Sequence, residues 1–453
     1  MVDSDTIVAV ATPNGRGGIG IVRLSGRDAL QIGETLAGRV LPARRAVHCV
    51  FRDSSGESLD DGIAIAYHAP SSFTGEHVVE FQGHGGPAVL GRVVAACLAV
   101  GARPARPGEF SERAFLNDRL DLAQAEAIAD LIAAASEEAA RAALRTLQGA
   151  FSEAVHAVMD ETTALRAYVE AAIDFPDEDV DFLADGEVAH RLAVLVDHLA
   201  RVQMEARRGV ALSEGLSVVL AGAPNAGKSS LLNQLVRKDA AIVTDIPGTT
   251  RDVLREHITL EGIPFQITDT AGIRKTRNAI EAEGVRRALR EIGENDVLIY
   301  LIDALESSHE AESRDTLEIA FGQSLPPHTI IVRNKIDLVD EAPSVFRRGD
   351  LDVVSLCALD GSGLEGLGEV LRRIAGLGGG QRSDYSARTR HLVALADAEH
   401  AFASASLALA QTGSGELVAE DLRRAHDALG AIVGEVTPDA LLGEIFGQFC
   451  IGK

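Results

Sequence analysis

The chain has 453 residues, a length that predicts about three domains. Apolar residues make up 46% and charged residues 24%, ordinary for a globular protein, yet 67 acidic residues outnumber 43 basic ones, for a formal net charge of −24. Such a charge excludes a nucleic-acid grip spread over the whole surface and leaves room only for a local basic patch.

Up to about residue 118, short β-branched runs mix with Gly and Pro. Ile7–Ala11, Ile19–Arg23 and Glu76–Phe81 read as strands and Pro87–Val100 as a helix, an α+β texture. From Asp121 to Gly209 the chain turns Ala- and Leu-rich, and Leu122, Ala125, Ile128, Ala129 and Ile132 share one helical face. This predicts a helical bundle, broken at Pro176 in the acidic stretch Asp174–Asp181. Beyond Gly215, the strand-like runs Leu216–Ala221, Phe265–Thr268, Val297–Ile302, Thr329–Val332 and Val353–Leu356 alternate with helical ones such as Leu231–Arg237 and Ile280–Ile292. Alternation of that kind predicts a mostly parallel sheet covered by helices. A flexible stop is expected at Gly376–Gly380, after which helical texture returns. The expected organisation is therefore multidomain: 1–118, a discontinuous helical domain over 119–212 and 379–453, and an inserted α/β domain over 213–378. Cys49, Cys97, Cys357 and Cys450 form no C-x-x-C pair, which argues against a disulfide scaffold or zinc ribbon and for a reducing compartment. The acidic N-terminus and the lack of a long uninterrupted apolar run predict no signal peptide, no membrane span and a cytoplasmic setting.

Gly222-Ala223-Pro224-Asn225-Ala226-Gly227-Lys228-Ser229 fits G-x-x-x-x-G-K-[ST], after a strand and before a helix that starts near Ser230. Its backbone N–H groups and the helix N-terminus suit phosphate oxygens, Lys228 suits the β- and γ-phosphates, and the Ser229 hydroxyl suits Mg²⁺. Asp269-Thr270-Ala271-Gly272 ends a strand, which predicts a carboxylate near the metal and the Gly272 N–H near the γ-phosphate. Asn334-Lys335-Ile336-Asp337 follows another strand; an aspartate there accepts guanine N1–H and the exocyclic amine, a donor pair that adenine lacks. Cys357-Ala358-Leu359 falls where a loop backing the base belongs. Between them, Asp245-Ile246-Pro247-Gly248-Thr249-Thr250 offers Thr250 as a second hydroxyl for Mg²⁺, ordered by the γ-phosphate. Ile273 stands directly after Gly272, where Ras-like enzymes carry a water-orienting Gln, so hydrolysis must use another group or be very slow.

Blocks along nearly the whole chain resemble the MnmE (TrmE) family of tRNA-modification GTPases. They are Asp5-Thr6-Ile7 with Ala11–Arg23, Thr74-Gly75-Glu76 through His84-Gly85-Gly86, Pro107–Phe110 with Arg113–Asn117 and Asp121–Ala127, then Pro224–Ser229, Gly248–Asp252 and the tail Phe449-Cys450-Ile451-Gly452-Lys453. The resemblance implies a folate-binding-like N-terminal dimerisation domain, a helical domain and a Ras-like G domain. It implies K⁺ beside the β/γ-phosphates, held by Asn225, Thr244, Ile246 and Thr249, with charge neutralisation in place of an arginine finger. It also implies G domains that dimerise with GTP bound, and Glu281 as the residue that orients water, where the residue alone reads as a surface charge at a helix start. Arg23, Glu80, Arg119 and Lys453 match contacts to 5-formyltetrahydrofolate or a related folate, Arg119 replacing a commoner Lys. Gly15–Gly20 also spells G-x-G-x-x-G, but the strand-like run that follows rules against a dinucleotide fold. Cys450 reads either as a small packing side chain, as part of a frayed end, or as a thiol placed near the folate.

Two functions remain. One is a GTP hydrolase that, with an FAD- and NADH-using MnmG-type partner in a heterotetramer, adds an aminomethyl-type group at C5 of the tRNA wobble uridine, tRNA being held mainly by the complex. The other is a nucleotide-switch assembly factor without base chemistry, which has no use for the folate-like segment. An ATP-dependent enzyme is disfavoured by Asp337.

Overall fold

The computed structural model describes residues 5–174, 186–238, 255–260, 262–269, 297–305, 314–321, 324–378, 382–435 and 439–452. The chain divides into two compact units, Met1–Ala129 with His426–Lys453, and Asp130–Ala425.

The first unit is built on a six-stranded sheet. In chain order its strands are β1 (Ile7–Val10), β2 (Gly17–Ser25), β3 (Val47–Arg52), β4 (Ser58–Tyr67), β5 (Val78–Gly85) and β6 (Arg103–Pro104), arranged β3-β4-β5-β2-β1-β6. Neighbours are antiparallel except β1 and β6. Alternation sends Val22, Leu24, Val79 and Phe81 into a core closed by helices Ala29–Ala37 and Pro87–Ala99. Arg23 and Glu80, one residue out of phase, therefore face the other side. The expected strands and the helix at Pro87 are present, whereas β3, β4 and helix Ala29–Ala37 lie where no element was expected. β4 contains Asp60, Asp61 and Gly62, which hide its alternation from a hydrophobic pattern. Because β2 is antiparallel to both neighbours, the glycine run at its start opens no strand-helix-strand crossover, as expected. The C-terminal segment packs in this unit: Ile445, Phe446 and Phe449 cluster with Leu122 and Ala125, and Ile451 bridges Pro107.

The second unit combines long helices with a seven-stranded sheet. The sheet comprises β7 (Leu216–Gly222), β8 (Arg255–Leu260), β9 (Ile263–Asp269), β10 (Val297–Asp303), β11 (His328–Asn334), β12 (Ser344–Arg348) and β13 (Leu351–Leu356). Its order is β12-β13-β11-β10-β7-β9-β8. The five central strands are parallel and the two edges antiparallel, so the sheet is mostly parallel as expected. β11 and β13 are buried along nearly their whole length, as strands covered on both faces must be. Ala139, Ala142, Ala211 and Leu212 from helices Glu137–Leu147 and Glu187–Ser213 share one core with Val218, Phe265 and Leu367.

The expected flexible stop starts as a helix end. Gly376, at φ +74°, follows helix Leu364–Ile374, the Leu377 amide donates to Arg372 O at 2.8 Å, and Leu377 is fully buried. Residues 379–381 and the expected break at Pro176 lie outside the described residues. Helix Thr389–Thr412 is long and apolar enough to cross a membrane by length and composition, against the expectation of no membrane span. Here its residues Leu395, Ala398, Phe402 and Ala405 are buried, and Gln203 of helix Glu187–Ser213 donates to Leu395 O at 3.1 Å.

Candidate nucleotide-binding cleft

The order of the parallel strands reverses at β7, whose chain continues to β9 on one side and later to β10 on the other. In open α/β sheets the crevice at the carboxyl ends of such strands is where ligands bind. A cavity of about 660 Å³ opens there, lined by Pro224, Asn225, Gly227, Lys228, Ser229, Ser230, Asn334, Lys335, Asp337, Leu338, Cys357, Ala358 and Leu359. The loop after β7 thus meets, in one cleft, two sequence motifs more than a hundred residues further along the chain.

The loop after β7 is shaped by its glycines. Gly222 has φ +148°, and a Cβ there would sit 2.3 Å from Leu301 O; at Gly227, φ +102°, it would sit 2.0 Å from Asn334 Nδ2. Helix Lys228–Lys238 begins where the loop closes. Lys228 is 7% exposed, and its ammonium donates to Gly222 O at 2.6 Å and Ala223 O at 2.9 Å. Ala226 is buried, while Asn225, Ser229 and Ser230 are exposed at the cavity wall.

Asn334, 2% exposed, clasps the site together. Its Nδ2 donates to Ala226 O at 2.7 Å and its Oδ1 accepts the Ala358 amide at 2.8 Å, so one amide satisfies groups from two loops. Asp337 is exposed to the cavity. Burial pushes the Cys357 thiol up, an effect to which hydrogen bonding with Asp337 and Asp360 adds. Lys335 takes a left-handed φ of +68° and its Nζ lies 2.6 Å from Asp303 Oδ2. Gln234 of the loop-following helix donates to Leu359 O at 2.7 Å and braces the base-side loop. Neither Asp303 nor Gln234 carries a motif signal; only register and helix direction bring them here.

Asp269 closes β9, level with Leu220 of β7. Thr244, Asp245, Ile246, Pro247, Gly248, Thr249, Thr250, Thr270, Ala271, Gly272, Glu281 and Lys453 lie outside the described residues.

In the first unit, Arg23 Nε donates to Glu80 Oε1 at 2.9 Å across the β2–β5 pair, and the guanidinium lies 5.5 Å from the Phe73 ring and 5.8 Å from that of Phe110. Arg119 is exposed and its Cγ packs beside Gly75, where a Cβ would come within 3.2 Å. Arg23, Glu80 and Arg119 are thus gathered around the loop that carries Phe73 and Gly75. Cys450 is exposed, so the packing alternative for its thiol does not hold. The segment around it is nonetheless fixed, because Cys450 O accepts the Gly108 amide at 3.4 Å.

The family model for the GTP-binding protein TrmE N-terminus matches residues 6–119, and that for the MnmE helical domain matches 122–450. The tRNA modification GTPase MnmE of Pseudomonas aeruginosa (strain UCBPP-PA14) is 53% identical over 453 residues, covering 99% of both chains. That of Histophilus somni (strain 129Pt) is 51% identical, again over 99% of each. Among solved structures, the G domain of the T. maritima FeoB iron transporter aligns at 23% identity with a TM-score of 0.26, covering 35% of this chain and 98% of that one. Two family models and full-length identity above half lead to one conclusion: the chain belongs to the MnmE (TrmE) family of tRNA modification GTPases.

Proposed function

We propose that the chain hydrolyses GTP in the cleft of residues 222–230, 334–338 and 357–359 and does so in the service of tRNA modification. The observation that carries this reading is the convergence of the buried Lys228 ammonium, the Asn334 clasp and Asp337 on one cavity at the carboxyl edge of a parallel sheet. Lys228 exchanges the carbonyls of Gly222 and Ala223 for phosphate oxygens, which are stronger acceptors. The N–H groups of Asn225 to Ser230 wrap the phosphates, and Asp337 accepts the guanine donors while Cys357, Ala358 and Leu359 back the base.

The described part of the cleft fits a metal-bound nucleotide, since the Ser229 hydroxyl and the Asn225 amide are exposed to the same cavity as Lys228. Ser229, with Thr250, would hold Mg²⁺ near the Asp269 carboxylate; Asn225, with Thr244, Ile246 and Thr249, would hold K⁺. The two cations, when bound, neutralise charge on the β- and γ-phosphate oxygens. Glu281 orients the attacking water and the Gly272 N–H meets the γ-phosphate, a division of labour that accommodates Ile273.

The first unit supports the finer chemistry over an assembly factor. The Arg23–Glu80 pair beside Phe73 offers carboxylate, guanidinium and aromatic surface to a pterin, and Arg119 and Lys453 are the further cations assigned to the folate on this reading. On this reading the chain works as a homodimer in a heterotetramer with an MnmG-type FAD protein in the cytoplasm. The folate supplies one carbon for the aminomethyl group at the wobble uridine, and the helical segments 119–212 and 379–453 precede and follow the G domain in the sequence. Mass spectrometry of wobble uridines in a strain lacking the chain, with and without its restoration, tests the reading. C5 substituents returning with the chain are expected; identical uridines in both arms overturn it. Turnover well above the Na⁺ rate is expected in K⁺, and equal rates remove the ion from the account.

A further inference from the structure

Asp303 closes β10 opposite Asn334 of β11. Its Oδ2 lies 2.6 Å from Lys335 Nζ and its Oδ1 accepts the Leu305 amide at 3.0 Å, so each oxygen is engaged. The neighbouring Ala304 amide donates to Asn334 O at 2.9 Å, which ties this strand end to the clasp residue itself. The hydrogen bond from Lys335 holds the Asp303 carboxyl below the usual carboxylate range.

Lys335 and Asp337 are two residues apart and line the same cavity. In the structure the Lys335 ammonium is bound by Asp303. Were it to turn to Asp337, the pair would compete with any N–H donors entering the cavity. With the ammonium drawn toward β10, the lysine contributes its methylene stem to the cavity wall, an apolar surface suited to the face of a planar base.

We propose that Asp303 is the positioning residue of the base pocket: it holds the Lys335 ammonium away from Asp337, so that no lysine pair competes with guanine for that carboxylate, and lays the lysine stem along the base. The inference rests on the cleft being a guanine-nucleotide site.

The test uses the full-length chain and equilibrium titration with a fluorescent GDP. Asp303→Asn is expected to weaken binding by about tenfold, the scale of a charge-assisted bond lost together with a competing pair gained. Lys335→Met keeps the stem and removes the ammonium, so adding Asp303→Asn to it should change affinity by less than about twofold. Equal losses in both backgrounds would mean that Asp303 merely braces the strand end, and unchanged affinity in Asp303→Asn would also overturn the proposal. Asp337→Asn separates this failure from failure of the site itself. A shift of preference from guanosine to xanthosine diphosphate keeps the guanine reading even if Asp303 proves silent; no shift removes both.

Discussion

Arg113 in the first unit and Lys228 in the second are buried to a similar degree, 4% and 7% exposed, yet their surroundings differ in kind. Arg113 meets three carboxylates, Asp5 at 2.6 Å and Glu76 and Glu109 at 3.1 Å, while Arg103 shares both Asp5 and Glu109. Glu76 in turn accepts the Ser25 hydroxyl at 2.7 Å, which joins the network to the end of β2. Lys228 rests on carbonyls of its own loop and borders a cavity of about 660 Å³. A cation enclosed by counter-ions holds strands and helices together and has no room for a ligand. A cation at the floor of a cleft can exchange its partners when an anion enters.

The largest effect expected from that contrast is on stability. Arg113→Leu takes the cation from Glu76 and one of the two shared by Asp5 and Glu109, and should cost about 3 kcal/mol, read as an earlier urea transition. A loss below about 1 kcal/mol would show that packing alone holds the unit. Lys228→Ala should leave the urea transition in place and lower turnover by about 10²–10³-fold, as for removal of a donor that acts on developing charge. A matching fall in stability would mean that the lysine is structural and the contrast false. Asn334→Ala lies between the two. It frees the Ala226 carbonyl and the Ala358 amide in a buried setting, which should cost about 1–3 kcal/mol and weaken nucleotide binding as well.

Acid sharpens the same comparison. Burial pushes the carboxyls of Asp5 and Glu109 up, but hydrogen bonds from Arg103 and Arg113 outweigh it and hold both below their ordinary values. The unfolded chain therefore takes up protons first as pH falls. The stabilisation is complete above the unfolded carboxylate values of about 3.9–4.3 and is lost as pH drops through the lower, folded ones. Melting temperature should fall steeply below about pH 4, and Arg113→Leu should flatten that slope. A slope unaffected by the substitution would place the titrating groups elsewhere.

What the sequence made legible is what short spacing encodes. The loop Gly222–Ser229 and Asn334–Asp337 each fit within eight residues, and both lie at the ends of the strands expected for them. Periodicity also placed the helix Leu122–Ala133, but not its buried face: Leu122 and Ala125 are buried as expected together with Ala123, Glu126 and Ala127, whereas Ile132 is 52% exposed. Hidden features depend on distance along the chain. Lys335 finds Asp303 across 32 residues and Arg113 finds Asp5 across 108, and neither pair leaves a local mark. β4 was concealed by its acidic residues, of which Asp60 is engaged by His84 at 2.7 Å. The docking of Ile445, Phe446 and Phe449 beside Leu122 joins residues over 300 positions apart, beyond any periodicity.

The four cysteines give the mildest probe of how tightly each region is closed. Cys97 is fully buried in the first unit and its thiol is pushed up to about 12 by burial, so it cannot react until that unit opens. Cys49 is buried in the same core and also pushed up by burial. Cys357 is 3% exposed but lines the cleft, so its protection depends on loops rather than on a sealed core. Cys450 is exposed. A chromogenic disulfide reagent at pH 8 should therefore react in three phases: Cys450 at once, Cys357 more slowly, and Cys49 and Cys97 only with global unfolding. Excess GDP should slow the middle phase alone, because a base held against the loop suppresses its opening. Cys450→Ser should abolish the first phase without disturbing the others. If GDP slowed the last phase instead, the nucleotide would be stabilising the first unit, and the separation between a closed charge network and an open cleft would have to be given up.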